Sequence, residues 1–383
     1  MIQMMTAYTT EVDEIEDGIA ELLTQIDLNK LKKNSVGLIT CHFDFAQTGF
    51  LAELQKRVSF DVIGMTTLAS ANNHGVSMYA LSFSVLTSDD IVFDTAMSEP
   101  LGPDNYDEKI RALYDEVSVK TNGDPSMIIS FFPYLEKLSG ALMHNSLDKA
   151  CKGIPVWGSL ATNIDVSFER CHAFRNGVGV EDALVVLLMY GEVNPEFVVI
   201  SIPEQNISDT RGMITESDGC IVKKINGMTA IDYLSSIGVK LIDKAPTVTP
   251  LMVYYEGSEK PVALGIYTIF DDGSLLCGGE MPIGATLAVG EINSKGIMET
   301  ANKGVAKLLE TGKKSGALIL PCVTRYVMLT PDQNSEMQLI INTMKDTMPF
   351  MMGYSGGEVC PVRDDTGIPQ NRFHNYTFSA CIF

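Results

Sequence analysis

Residues 127–159, MIISFFPYLEKLSGALMHNSLDKACKGIPVWGS, set the reading of the whole chain. Met127 to Phe132 is an apolar run of buried-strand length. A helix is expected from about Glu136 to Lys152, and Pro155-Val156-Trp157 then begins a second strand that ends at Gly158-Ser159. Strand, helix and strand in this order form a parallel unit, because a tight turn cannot join parallel neighbours.

The same grammar occurs upstream and downstream. Ser35 to Cys41, a helix over Gly49 to Arg57, and Phe60 to Ile63 form one unit, ending at Gly64-Met65-Thr66-Thr67. Ala317 to Leu320, a helix over Glu336 to Met348, and Phe350-Met351-Met352 form another, ending at Gly353-Tyr354-Ser355. The fold class expected is α/β in the mixed α+β sense: two layered domains with mostly parallel or mixed sheets flanked by helices, built on repeated strand-helix-strand units. The polar, Gly-bearing stretch Pro203 to Gly219 marks the seam, giving domains 1–218 and 219–383. Asp271-Asp272-Gly273 between Ile266–Phe270 and Ser274–Cys277 reads as a hairpin turn. A helix through Ile297, Ala301, Val305 and Leu308 should end at Gly312.

Composition removes several functions. The chain of 383 residues carries 28 Lys+Arg against 48 Asp+Glu, a net charge of −20, so it repels nucleic acid and anionic membrane surfaces. With 45% hydrophobic and 20% charged residues it buries a large core. No apolar run is long enough to span a bilayer. Acidic residues at 11, 13, 14, 16 and 17 stand where an export signal would be basic and then apolar, so a cytoplasmic location is expected. The eight cysteines show no CxxC spacing and are read as reduced, mostly buried thiols. The five histidines form no metal motif, and Gly177-Val178-Gly179 lacks the residues of a phosphate loop.

Ligands of open α/β sheets gather outside the carboxyl ends of the strands. Each unit places Gly and a small hydroxyl residue there: Thr66 and Thr67, Gly158 and Ser159, and Gly353 to Glu358 with Tyr354 and Ser355. Reading Phe373 to Cys381 as one strand puts Asn375, Thr377 and Ser379 on a single polar face. Arg325 and Glu358 are expected to be close, either holding the two charged ends of an amino acid or pairing with each other. An enzyme using Cys322 as nucleophile and His374 as base is the rival reading. A haem-binding gas sensor is another, since one histidine suffices; His42 and His172 are candidates.

Several of these residues resemble a known family. Gly64-Met65-Thr66-Thr67, residues 155–161 (PVWGSLA) and Val222 to Leu234 look like the FIST N domain and its junction. Cys322, Arg325, Glu336, Gly353 to Glu358 and His374 to Thr377 follow the order of the FIST C domain, and the two together span roughly residues 30–380. Two departures are the segment 201–215, SIPEQNISDTRGMIT, in place of a Gly- and Pro-rich stretch, and the large Met65 in place of a small residue. The resemblance implies a sensory module of signal transduction that binds a small molecule, amino acids being suggested, near the interface of its domains. Some relatives carry haem. It also implies a separate signalling partner such as a histidine kinase or a cyclic-nucleotide enzyme, and no catalytic residues, metal or obligatory cofactor.

Overall fold

The structure is a computed structural model describing residues 1–135, 138–164, 168–241 and 248–383. Strand Met127–Phe132 lies parallel to Val156–Leu160, with helix Gly140–Cys151 between them in sequence. The expected helix start at Glu136 lies outside the described residues. Side chains alternate strictly: Met127, Ile129 and Phe131 enter a central core, while Ile128 and Phe132 enter a separate outer core with Met143 and Leu147 of the helix. Burial on both faces is why the sequence is apolar without interruption.

Both other units form as expected. Asn34–Cys41 runs parallel to Val62–Thr66, and Ala317–Pro321 to Phe350–Gly353. Each parallel pair sits in the middle of a six-stranded sheet of identical order: edge strand, return strand, the parallel pair, then a hairpin. The edge strands are Gln3–Thr9, Val92–Met97 and Glu196–Ile200; the return strands are Leu81–Ser88, Val185–Tyr190 and Phe378–Ile382. The chain is therefore three copies of one repeat.

The hairpins are exchanged cyclically between copies. Ser70–Asn72 with Gly75–Ser77, from the first repeat, extends the sheet of the third. Ala173–Arg175 with Val178–Val180, from the second, extends the first, and Glu358–Arg363 with Pro369–His374, from the third, extends the second. Inner faces of all three sheets share one core that includes Leu38, Ile129, Trp157, Leu318 and Met351. Helices cover the outer faces, each with its own core. The sheets thus form the walls of a triangular prism around a pseudo-three-fold axis. Among the described residues no helix is long and apolar enough to cross a membrane.

Between the edge strand and first helix of the third repeat the chain makes a separate eight-stranded sheet, all of whose pairs are antiparallel. It begins with Gly212–Asp218 and ends with Thr286–Val289. Ile214, Leu234, Leu251 and Leu287 fill its own core. Met252, Ala288, Ile297, Leu329 and Tyr376 weld it to the prism. The Asp-Gly turn forms as read, with Gly273 at φ 79°, joining Ile266–Ile269 to Leu275–Cys277.

Two local expectations are corrected. Residues 373–381 are not one strand: Pro369–His374 closes one prism wall and Phe378–Ile382 belongs to the next. The crossing at Asn375–Thr377 puts Tyr376 at φ 63°, a left-handed conformation that L-residues rarely adopt. The second strands run on through the glycines at which they were expected to end, Gly64 lying inside Val62–Thr66 and Gly158 inside Val156–Leu160. At Gly158 the reason is close approach, since a Cβ there would stand 1.9 Å from the carbonyl oxygen of Ser130.

Candidate functional site

The carboxyl ends of the three parallel pairs meet at one end of the prism. Thr162 N donates to Thr66 O at 3.2 Å and Gly356 N to Leu160 O at 3.0 Å. Thr67 Oγ1 donates to Tyr354 O at 2.7 Å, completing a cycle that links the three repeats. Thr66, Thr67, Tyr354 and Ser355 are thereby gathered around the axis, with Ser159 directly opposite Glu358 on the exchanged hairpin.

Equivalent hydrogen bonds align the repeats residue by residue. Thr67 N reaches Cys41 O, Ala161 N reaches Phe132 O, and Ser355 N reaches Pro321 O, at 2.9, 2.9 and 2.8 Å. His42, Pro133 and Cys322, each next in the chain, are therefore equivalent. So are Ser70, Ala173 and Glu358, which face Gly353, Met65 and Ser159 across their hairpins. Ala80, Ala183 and Thr377 precede the equivalent residues of the return strands, once the register of Phe131 with Val185 is continued by one residue. At these four positions the second repeat carries Pro133, Ala161, Ala173 and Ala183, all buried. The third carries Cys322, Ser355, Glu358 and Thr377, also buried. The first is mixed, with His42, Thr67, Ser70 and Ala80. Proline and alanine fill these positions in the second repeat, so the repeat closes there without a polar set; in the third, Ser355 Oγ accepts from Gly357 N at 3.0 Å, while Glu358, Thr377 and Cys322 are polar where the second repeat is apolar.

Glu358 is fully buried. Its Oε2 accepts from Thr377 Oγ1 at 2.6 Å and from Thr377 N at 3.4 Å. Ser355 and Cys322 lie close enough to favour the ionised form, but neither completes a hydrogen bond to Oε1, which has no partner. Burial outweighs these donors and pushes the carboxyl up to about 8. The Cys322 thiol is driven far above its ordinary range, first by burial and then by the adjacent Glu358 carboxyl. From the inserted sheet, Tyr267 brings its phenol near Glu358, Cys322 and Tyr134. Asn375 clamps this contact: Nδ2 donates to Tyr267 Oη at 3.0 Å and Oδ1 accepts from Gly265 N at 2.9 Å. Tyr134 and Tyr267 are 37% and 36% exposed as whole residues, while burial of its phenol pushes Tyr267 well above the ordinary tyrosine range.

Arg325 is elsewhere, correcting the expected approach to Glu358. Its guanidinium pairs with Glu336 through Nε at 2.9 Å and Nη2 at 2.6 Å, both residues being buried. Nη2 also donates to Ile297 O, and Nη1 to Thr300 Oγ1 and Tyr376 O. All five of its donors are engaged. Tyr354 Oη adds a contact of 3.3 Å to Glu336 Oε2. The proposed thiol-imidazole pair is not assembled either. The His374 ring meets Cys360 O at 3.0 Å, and its electrostatic neighbours are His144 and Arg372, while those of Cys322 include Glu358.

The model for the FIST N domain matches residues 35–228, and that for the FIST C domain matches residues 232–361. The chain belongs to the FIST family. FIST domains are sensory domains of signal-transduction proteins. No curated protein matches the chain. Both FIST segments contribute to the axis: Thr66, Thr67 and Ser159 come from the N domain, and Cys322, Ser355 and Glu358 from the C domain. Asn375 and Thr377 lie just beyond the matched C domain.

Two surface depressions, of about 370 and about 730 Å³, lie away from Glu358. The first surrounds the start of helix Ser294–Glu310, and the second lies on the inserted sheet between Arg211, Tyr254 and Ile283. No histidine lines either one. His144 and His374 are enclosed, at 1% and 2% exposure, and His42 at 4% packs against Phe43 and Tyr79. His172, the other candidate, meets Arg170 O through Nδ1 at 2.9 Å and Glu181 Oε1 through Nε2 at 3.5 Å. Among the described residues no group of three His, Cys, Asp or Glu side chains could hold a metal ion. Sequence reasoning missed Tyr267, whose place at the axis depends on how the inserted sheet docks.

Proposed function

We propose that this FIST protein binds a small molecule at the axis end of its third repeat, between Glu358, Thr377, Ser355 and Cys322 of the prism and Tyr267 of the inserted sheet. The observation behind this reading is the internal comparison: the second repeat fills the equivalent positions with Pro133, Ala161, Ala173 and Ala183. A polar set absent from the second repeat, holding one unpartnered carboxyl oxygen, is arranged for a ligand. The high cost of ionising the Cys322 thiol favours binding over nucleophilic catalysis.

Occupancy would act on the docking of the inserted sheet. Asn375 and Tyr376 sit between the ligand residues and two distant contacts: Asn375 holds Gly265 and Tyr267, while the Tyr376 carbonyl is held by Arg325, which grips Glu336 and the start of helix Ser294–Glu310. A ligand shifts an equilibrium only by binding one arrangement better than another, and this chain of contacts is where such a difference would be felt. The receiver in this proposal is a separate signalling protein such as a histidine kinase or a cyclic-nucleotide enzyme. Comparing native and denatured masses of the purified chain tests the reading. An added mass retained in the wild type and absent from Glu358→Ala supports it. Added mass retained equally by both places the ligand elsewhere.

A further inference from the structure

The chemistry around Glu358 narrows the ligand, and the argument rests on the binding reading just given. Among the described residues, the groups near the carboxyl are neutral: Thr377 on its own crossing segment, Ser355 at the strand end, Cys322 at the helix start, and the Tyr267 phenol of the inserted sheet. Cys360, two residues along, is a buried thiol, and His374, opposite Glu358 in register, turns its ring to Cys360 O and is held neutral. The cation nearest in sequence expectation, Arg325, is saturated by Glu336 and three further acceptors. A buried carboxyl with one open oxygen and no cation facing it is incomplete in a specific sense: it lacks a donor that carries positive charge. The phenol and hydroxyl oxygens beside it are acceptors suited to the remaining N–H groups of such a donor. The net charge of −20 adds a long-range field that favours cations.

We infer that the ligand is a cationic amine whose ammonium group pairs with Glu358, the carboxyl proton leaving to solvent as the pair forms. Glu358 in the free protein is the neutral acid, consistent with its raised pKa. In the bound state carboxylate faces ammonium, so one O–H bond is broken and buffer takes the proton. Binding is thereby coupled to pH.

The test uses the full chain and methylammonium chloride, with sodium chloride at equal ionic strength and neutral acetamide as comparisons. The readout is the infrared carbonyl stretch of a protonated carboxyl, assigned to Glu358 by its loss in Glu358→Gln. Thr377→Val provides a second assignment, moving the band without deleting it. Methylammonium should abolish the band near neutral pH, and calorimetry in buffers of different ionisation enthalpy should show proton release approaching one per chain. A band that acetamide shifts and methylammonium leaves intact overturns the amine inference and keeps the site. A band unmoved by both overturns the inference and the site reading together.

Discussion

Replacing Glu358 by Gln removes an ionisation that the fold opposes, and the effect on stability has a definite sign and pH window. The folded carboxyl sits at about 8 against an ordinary 4.5. Over this interval the unfolded chain releases the proton before the folded one does, so Glu358 contributes stability below the lower value and loses it as pH rises through the upper. Integrating from about pH 5 to about pH 8 gives a loss of roughly 3 to 4 kcal/mol from this one group. The variant lacks that loss, while every other titrating group is common to both proteins. Urea unfolding of wild type and Glu358→Gln at the two pH values measures the double difference. Glu358→Gln should gain on the wild type by roughly that amount as the medium becomes alkaline. Parallel pH profiles for the two proteins would refute the claim that Glu358 is held as a neutral acid.

Three further outcomes follow from the same geometry. His144 and His374 are both lowered to about 4 by burial, so their stabilising contribution is present above the ordinary 6.5 and lost as pH falls toward 4; His144→Leu should flatten the acid limb of an unfolding-versus-pH curve, and an unchanged limb would count against it. Arg325→Met strands the buried Glu336 carboxylate and should cost about 3 to 5 kcal/mol in urea unfolding, most of it recovered in Arg325→Met with Glu336→Leu. All eight cysteines are buried and free, so a thiol reagent should label the native chain slowly and all eight after denaturation; rapid native labelling of Cys322 would restore the nucleophile reading.

Much of the prism was legible because strands such as Met127–Phe132 are buried on both faces and helices such as Ser294–Glu310 repeat apolar residues every three or four positions. The cyclic exchange of hairpins was not. Ser70–Asn72 is three residues long, and its pairing with Phe350–Gly353 is decided by the closure of the prism and by no local pattern. The alternation of polar and apolar residues from His374 to Ser379 satisfied a strand template, yet Tyr376 takes a left-handed turn there that only a glycine or asparagine would have announced. At the axis, the hydroxyl residues at the strand ends could be found from sequence because their positions follow from the strand grammar. The partner of Arg325 could not, since Glu336 and Glu358 are equally suitable acids and the packing of the intervening helices makes the choice.

The most direct measurement copies the second repeat into the third. Ser355→Ala, Glu358→Ala and Thr377→Ala together reproduce Ala161, Ala173 and Ala183. Thermal unfolding of this triple variant and of the wild type, each with and without a panel of small metabolites including amines, reads fold and binding at once. If the polar set serves a ligand, the variant still folds and unfolds cooperatively, with a modest loss from the Gly357 N–H that Ser355 Oγ accepts, and only the wild type is stabilised by a member of the panel. A variant that fails to fold, or that responds to the same compound as strongly as the wild type, would contradict the assignment of the site.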